Sequence, residues 1–300
     1  MKKAFIITGI ILVILLGTLV SVPVLFKDAL LQKTKSTISK NLKVTVNFDR
    51  FNLSLIRNFP KATLSLSNVL VTGKSAFAGD TLLRIENLRT KFGLFDLLTP
   101  SSLTINELIL DDARLHLLVN NANQANWDIL PEEGETKTNG KTPSSFGMEL
   151  SKIKVNNAIL SYQDMTLPMD VDLQNINLAL KGRMYGNNTE LIVEGSADQF
   201  NMAYDSVTYI NKTRIDVKSL LQINFDTRNF GFNEGELLVN GLPVGIQGNF
   251  AMPGDSMQFN LQFASKVSEL NDFLKLIPPD YQPYMKDLKA SGQAELSGTF

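Results

Sequence analysis

The stretch Met169-Asp-Val-Asp-Leu-Gln-Asn-Ile-Asn-Leu-Ala-Leu180 sets the fold class. Met169, Val171 and Leu173 alternate with Asp170, Asp172 and Gln174. Past Asn175 the apolar set resumes at Ile176, Leu178 and Leu180, one position out of phase. Alternation with period two builds a strand with one apolar and one wet face. A one-residue slip would move the second set to the wet face, so Gln174-Asn175 is expected to form a β-bulge or a tight turn.

The pattern extends in both directions. It includes Val44, Val46 and Phe48; Thr63 to Ser67; Ile153 and Val155; Ile215, Val217, Leu221, Ile223 and Phe225. It continues through Leu242, Val244, Ile246 and Phe250, then Met257, Phe259, Leu261 and Phe263. The residues between are mostly Ser, Thr, Asn, Asp, Lys or Gln, whereas buried parallel strands read as unbroken Val/Ile/Leu blocks. The expected class is mainly β: a long antiparallel, meander-like sheet with few short helices. Turn signals stand at Tyr185 to Asn188, Asn233 to Gly235, Asn240-Gly241 and Pro253 to Asp255. One short helix is expected from Ser265 or Ser268 to Ile277, with Leu270, Phe273, Leu274 and Ile277 on one stripe and Pro278-Pro279 ending it.

The amino end differs from everything after it. Ala4 to Phe26 is 23 residues without a charge, between Lys2-Lys3 and Lys27-Asp28. As a helix it reaches about 34 Å, enough for a hydrocarbon core of about 30 Å. It exceeds the usual length of a cleaved signal segment and lacks an Ala-x-Ala site, so it reads as an uncleaved transmembrane helix. Positive charges flank both ends and do not orient it. The signal-like order, the absence of cysteine and the β-rich body favour export. Asp28 to Leu42 carries Leu31, Ile38 and Leu42 near helical spacing, an amphipathic helix lying either on the membrane or on the sheet.

Pro131 to Gly147 is polar and rich in turn formers, a mobile linker. The expected organisation is an anchor (1–27), an amino-terminal β module with the amphipathic helix (28–130), the linker (131–147) and a second β module (148–300). The alternation still running at Phe300 predicts that the second module continues.

Composition closes most catalytic routes. Twenty-nine basic and 30 acidic residues give a net charge of −1, without the basic excess that nucleic acid requires. There is no cysteine and one histidine, His116, so thiolate or multi-histidine metal sites are excluded and no cofactor is expected. His116 lies in an expected strand beside Leu115, Leu117 and Leu118 and reads as a strand histidine. No phosphate-binding glycine loop occurs.

Leu108-Ile-Leu-Asp-Asp-Ala-Arg-Leu-His-Leu117 is echoed by Ile153-Lys-Val-Asn-Asn-Ala-Ile-Leu-Ser-Tyr162, more weakly by Asn68-Val69 to Gly73 and by Asn240-Gly241. The pairs Asp111-Asp112 and Asn156-Asn157 suit positive-φ turns, so each echo is expected to be a hairpin within a repeated β unit. Asn156-Asn157 cannot ionise, which favours a turn over a carboxylate site.

In order along the chain come the anchor, Phe51-Asn-Leu-Ser-Leu55, Ala62-Thr-Leu-Ser-Leu-Ser-Asn-Val69, Leu88 to Leu98, Ile105 to Leu115, and Asn126-Trp127-Asp-Ile-Leu130 before the polar loop. This order resembles the AsmA family of Gram-negative envelope proteins. The likeness is good over about residues 1–165 and looser beyond. Asn123 stands where the family often has Gly. The resemblance implies an elongated, groove-like sheet tethered to the bacterial inner membrane by a single span, with its bulk in the periplasm. The implied role is non-catalytic: phospholipid transport between membranes and outer-membrane maintenance, as in TamB-type and bridge-like lipid-transfer proteins. Phospholipid acyl chains, the membrane and other envelope proteins are the implied partners, and nucleic acid is not. The alternative is a scaffold or assembly factor for outer-membrane proteins, binding through sheet edges.

Asn126 and Trp127 are the family motif, and Trp127 reads either as a stacking platform or as a strand-end core aromatic. Ile153, Val155, Leu221, Ile223, Phe225, Phe259, Leu261 and Phe263 occupy inward phases of their strands. They line a lipid groove on the family reading and an ordinary core on the plain one.

Overall fold

The computed structural model describes residues 42–58, 61–93, 102–129, 147–184, 188–251, 258–274, 276–277, 281–285 and 290–299. The expected anchor, the amphipathic helix, the linker up to residue 146, and the turns at 185–187 and 253–255 lie outside these residues. Among the described residues no helix is long and apolar enough to cross a membrane.

The alternating runs form β1 (Val44–Asn47), β2 (Arg50–Asn58), β3 (Lys61–Gly73), β4 (Thr81–Gly93), β5 (Ser102–Val119), β6 (Gly147–Asp164), β7 (Met169–Met184), β8 (Asn188–Tyr204) and β9 (Val207–Asn224). After them come β10 (Asn229–Val239), β11 (Leu242–Ala251), β12 (Gln258–Ser265), β13 (Ser268–Glu269), β14 (Gln293–Ala294) and β15 (Ser297–Thr299). Thirteen strands make one sheet in the order β1-β3-β4-β5-β6-β7-β8-β9-β10-β11-β12-β15, with β2 beside β1 on β3; β13 and β14 pair apart. Contacts run between sheet neighbours, and among the described residues no second layer packs on the sheet. The protein is mainly β, as the alternation predicts.

Four expectations are corrected. The sheet is mixed, because β5 and β6 run parallel, from Ser102↔Gly147 to Val119↔Asp164. The alternation did not reveal this, since a parallel pair with one wet face alternates like an antiparallel one. Residues 120–146 supply the long return that parallel neighbours need. This pairing also joins strands from either side of the expected linker, and Gly147 already belongs to β6.

The echoes are not hairpins. Asp112 (φ 54°) and Asn157 (φ 53°) sit inside the strands β5 and β6, with Asp111 opposite Asn156. They are positive-φ positions at one level of two neighbouring strands, and at Asn157 the register also shifts, against β7. A short polar side chain tolerates positive φ in either setting, and strand length decides between them. Likewise Asn233 to Gly235 is a register shift within β10, not a turn. The expected helix shortens to α1 (Leu270–Leu274), because Ser268-Glu269 pairs with Gln293-Ala294 instead.

Other details stand. Asn175 has φ 53° and the β6–β7 register shifts between Ala158↔Ile176 and Leu160↔Leu173, one extra residue of β7 where the phase changed. Asn240 (φ 48°) and Gly241 (φ 85°) join β10 to β11 in a two-residue turn.

Candidate functional site

Register carries one apolar row across the sheet. Phe51 lies opposite Leu66, then Leu88, Leu110, Val155, Leu178, Gly195, Val217, Leu237, Val244 and Ser265 follow strand by strand. At about 4.8 Å per strand the row spans about 48 Å. Ile153 lies beside it, opposite Leu108 and Leu180. Nearer the far end of β9, Leu221, Phe232, Gly248 and Leu261 form a second row, and Ile223, Phe230, Phe250 and Phe259 a third. The Phe230 and Phe250 rings stack at 5.8 Å, and Phe250 and Phe259 stand 5.0 Å apart. Phe263 faces Ile246 and Gly298.

Seven of the eight expected groove residues therefore share one face. The eighth, Phe225, sits in the β9–β10 turn, half exposed. On this face Val69, Ile85, Ala113 and Ala158 form one buried cluster, with Leu66, Leu88, Leu110 and Val155 against it. Phe230 and Phe232 were legible as site residues only in hindsight, although Phe230-Gly-Phe232 alternates. Thr90 and Thr189 carry buried hydroxyls without a partner on this same face, and nothing in period two distinguishes them from its other members.

A polar seam runs across the sheet at the level of the bulges. Asn68 (φ 54°) on β3 donates to Asp49, 2.7 Å. Arg89 on β4 donates to Asp111, 2.6 Å, and Asn156 on β6 donates to the same carboxylate, 2.6 Å. Asn157 bonds Asp112, and its backbone N–H donates to the Asn177 side chain, 3.1 Å. Asn175 donates to Asp198, 3.3 Å, which also takes Arg214. The Arg214 backbone N–H donates to Asn240 Oδ1, 2.9 Å, at the β10–β11 turn. All the sequence echoes thus fall on one line. Positive φ departs from extended backbone at each of these levels, and where the β6–β7 register also shifts the bulge bends its strand and raises local twist. On the wet face Glu107 accepts from Lys91, which holds its carboxyl below the ordinary value despite opposing burial.

Asn126 and Trp127 lie elsewhere, in the loop after β5. Asn126 is buried; its Oδ1 accepts from Leu118 N–H at 3.0 Å and its Nδ2 donates to His116 O at 2.9 Å. Trp127 packs on Tyr162 at 6.0 Å, and Ile129 O accepts from Lys43 N–H at 2.8 Å. The motif ties the end of β5 to the entrance of β1 and does not touch the apolar rows. Burial and a bond to Asp164 push the Tyr162 phenol up to about 12. His116 Nδ1 lies 2.8 Å from Ser161 Oγ, while neighbouring Asp172 accepts from Gln174 and Asn201, so among the described residues no carboxylate is bonded to the pair.

The AsmA family model matches residues 1–265. The chain belongs to the AsmA family. The match runs well past the stretch where the sequence motifs were clear, into the Phe263 end of β12. No curated protein and no solved structure matches the chain. AsmA membership supports a general role in the envelope and lipid transport, and this is not a known enzyme family.

Proposed function

We propose that this AsmA-family protein is held in the inner membrane by residues 4–26, lies mainly in the periplasm, and moves phospholipid between membranes along its apolar face. Acyl chains lie against the rows through Val155, Leu221 and Ile223, with head groups toward water and no covalent chemistry. The amino-terminal module (28–130), a β module with the short amphipathic helix, and the second β module (148–300) act as successive parts of one lipid path. The observation carrying this reading is the width of the apolar face. It continues over eleven strands without a covering layer among the described residues. An apolar surface of that extent is far larger than a soluble monomer leaves in water. Acyl chains satisfy it along its whole length without a specific pocket.

The scaffold alternative has one observation in its favour. Among the described residues the sheet ends at β15, a three-residue strand paired with Gln262 to Ala264 on the outer side of β12. An edge of this kind accepts an added strand. The two readings separate by mass spectrometry of lipid copurifying with the full chain after detergent exchange. Stoichiometric phospholipid, lost on charging the apolar face, supports transport; its absence supports the scaffold.

A further inference from the structure

One end of the sheet gathers exposed apolar side chains where water should meet polar loops. It comprises the entrance of β1, the loop after β5, the β6–β7 turn and the β8–β9 turn. Trp127, Met165, Leu167, Tyr204, Val207 and Tyr209 stand there at 38 to 57% exposure. The rim is stitched laterally. Lys43 N–H donates to Ile129 O, Met165 N–H to Val119 O and Asp205 N–H to Pro168 O. Asp164 fixes the tip of the β6–β7 turn, accepting from Thr166 N–H at 2.8 Å and Leu167 N–H at 2.9 Å. These tips are held outward, so their exposure is built in.

Position on the chain identifies the occupant. Lys43 sits at this rim, and the uncharged run Ala4 to Phe26 precedes it by a short segment. That segment spans about 24 Å as a helix. An 18-residue strand such as β6 is about 60 Å long, so the rim is the end of the sheet next to the bilayer. Trp and Tyr, apolar with one polar handle, suit the headgroup layer. Lys43 and Lys74 are matched by Asp80, Asp128 and Asp205, a mixed charge that fits zwitterionic lipid.

We propose that this rim is a membrane-docking surface, its six apolar tips entering the interfacial layer so that the apolar face opens directly onto lipid. The proposal rests on the anchored, lipid-moving reading above and adds the contact through which lipid would enter.

The chain contains a single tryptophan, Trp127, which makes a native probe. The full chain is reconstituted into phosphatidylethanolamine and phosphatidylcholine vesicles. Trp127 emission is then quenched with lipids brominated high on the acyl chain and, separately, with aqueous iodide. Docking predicts quenching by the brominated lipid and protection from iodide. In Met165→Asp/Leu167→Asp the docked-to-undocked ratio should fall at least about tenfold, since each leucine-sized side chain kept from apolar surroundings loses that much or more. Both residues lie outside the ladder of strand pairs, so circular dichroism should be unchanged. A milder Met165→Ser/Leu167→Ser variant with a smaller fall in the same direction guards against misfolding. Iodide quenching equal with and without the bilayer would overturn the proposal. Protection from both quenchers would overturn it too, since a protein partner would then cover the rim. If Trp127 stays in water while lipid still photocrosslinks to the Phe250 row, docking fails and transport stands. A quenched Trp127 without those crosslinks keeps docking and removes the groove.

Discussion

Asn126 illustrates how much one carboxamide does. Its side chain serves Leu118 N–H and His116 O, and its own N–H donates to Leu118 O at 3.0 Å. Asn126→Ala leaves one buried and one partly buried backbone group unserved, so the chain should lose about 2 kcal/mol, read as an earlier denaturation midpoint. Gly248 is a second single-residue constraint. Its φ is 128°, and a Cβ there would lie 2.0 Å from Asn260 O. Gly248→Ala should therefore cost about 3 kcal/mol and loosen β11 from β12, visible as faster amide exchange along that pair. Its missing side chain also leaves Phe232 and Leu261 with only backbone between them. Neither role was legible in sequence. The Asn-Trp motif marked a place, but the hydrogen bonds depend on β5 ending where it does. A glycine two residues from Phe250 looks like any other strand glycine until its partner's carbonyl is in view.

Elements were read more fully than their connections. Period two identified the strands, and the phase change at Asn175 located a bulge, because both follow from the side-chain geometry of a single strand. The echoed Asp/Asn pairs were read as hairpins because a lone sequence does not tell a bulge from a turn. The parallel β5–β6 pair was missed because direction leaves no mark on alternation. Positive φ at Asn157 makes a sharp prediction: Asn157→Gly should be tolerated, while Asn157→Val should cost about 1–2 kcal/mol in a urea melt. The β6–β7 turn gives a pH dependence. Burial alone would raise the Asp164 carboxyl, but bonds from Leu167, Thr166 and Tyr162 outweigh it and hold it below its ordinary value. The unfolded chain then binds the proton more tightly. This stabilisation is complete above the unfolded Asp value of about 3.9 and fades as pH falls through the lower folded value. Between about pH 6 and about pH 3 the wild-type melt should drop more steeply than that of Asp164→Asn. Parallel curves would remove Asp164 from the account.

At the scale of the molecule, two simple facts combine. Each strand has one apolar face, and Asn68, Asp112, Asn157 and Asn175 hold positive φ at one level of four strands, where the β6–β7 register shifts. The result is an apolar surface many strands wide with no second layer on it among the described residues. Alternation placed seven of the eight expected residues on one face in advance; whether a second layer covers that face depends on tertiary packing, which alternation does not encode. This predicts an unusual tolerance. In a closed core, Leu261→Asp would bury an unpaired carboxylate at a cost of several kcal/mol and unfold the chain. Leu261 is partly exposed in a single layer, so its melt should stay within about 3 °C of wild type. The most direct measurement places a photocrosslinking amino acid at Leu261 or at its wet-face neighbour Gln262 in the full-length chain in living cells. Mass spectrometry then reads the adducts. Phospholipid adducts at Leu261 and none at Gln262 are the predicted result. Equal adducts on both faces, or crosslinks from Leu261 only to protein, would contradict it.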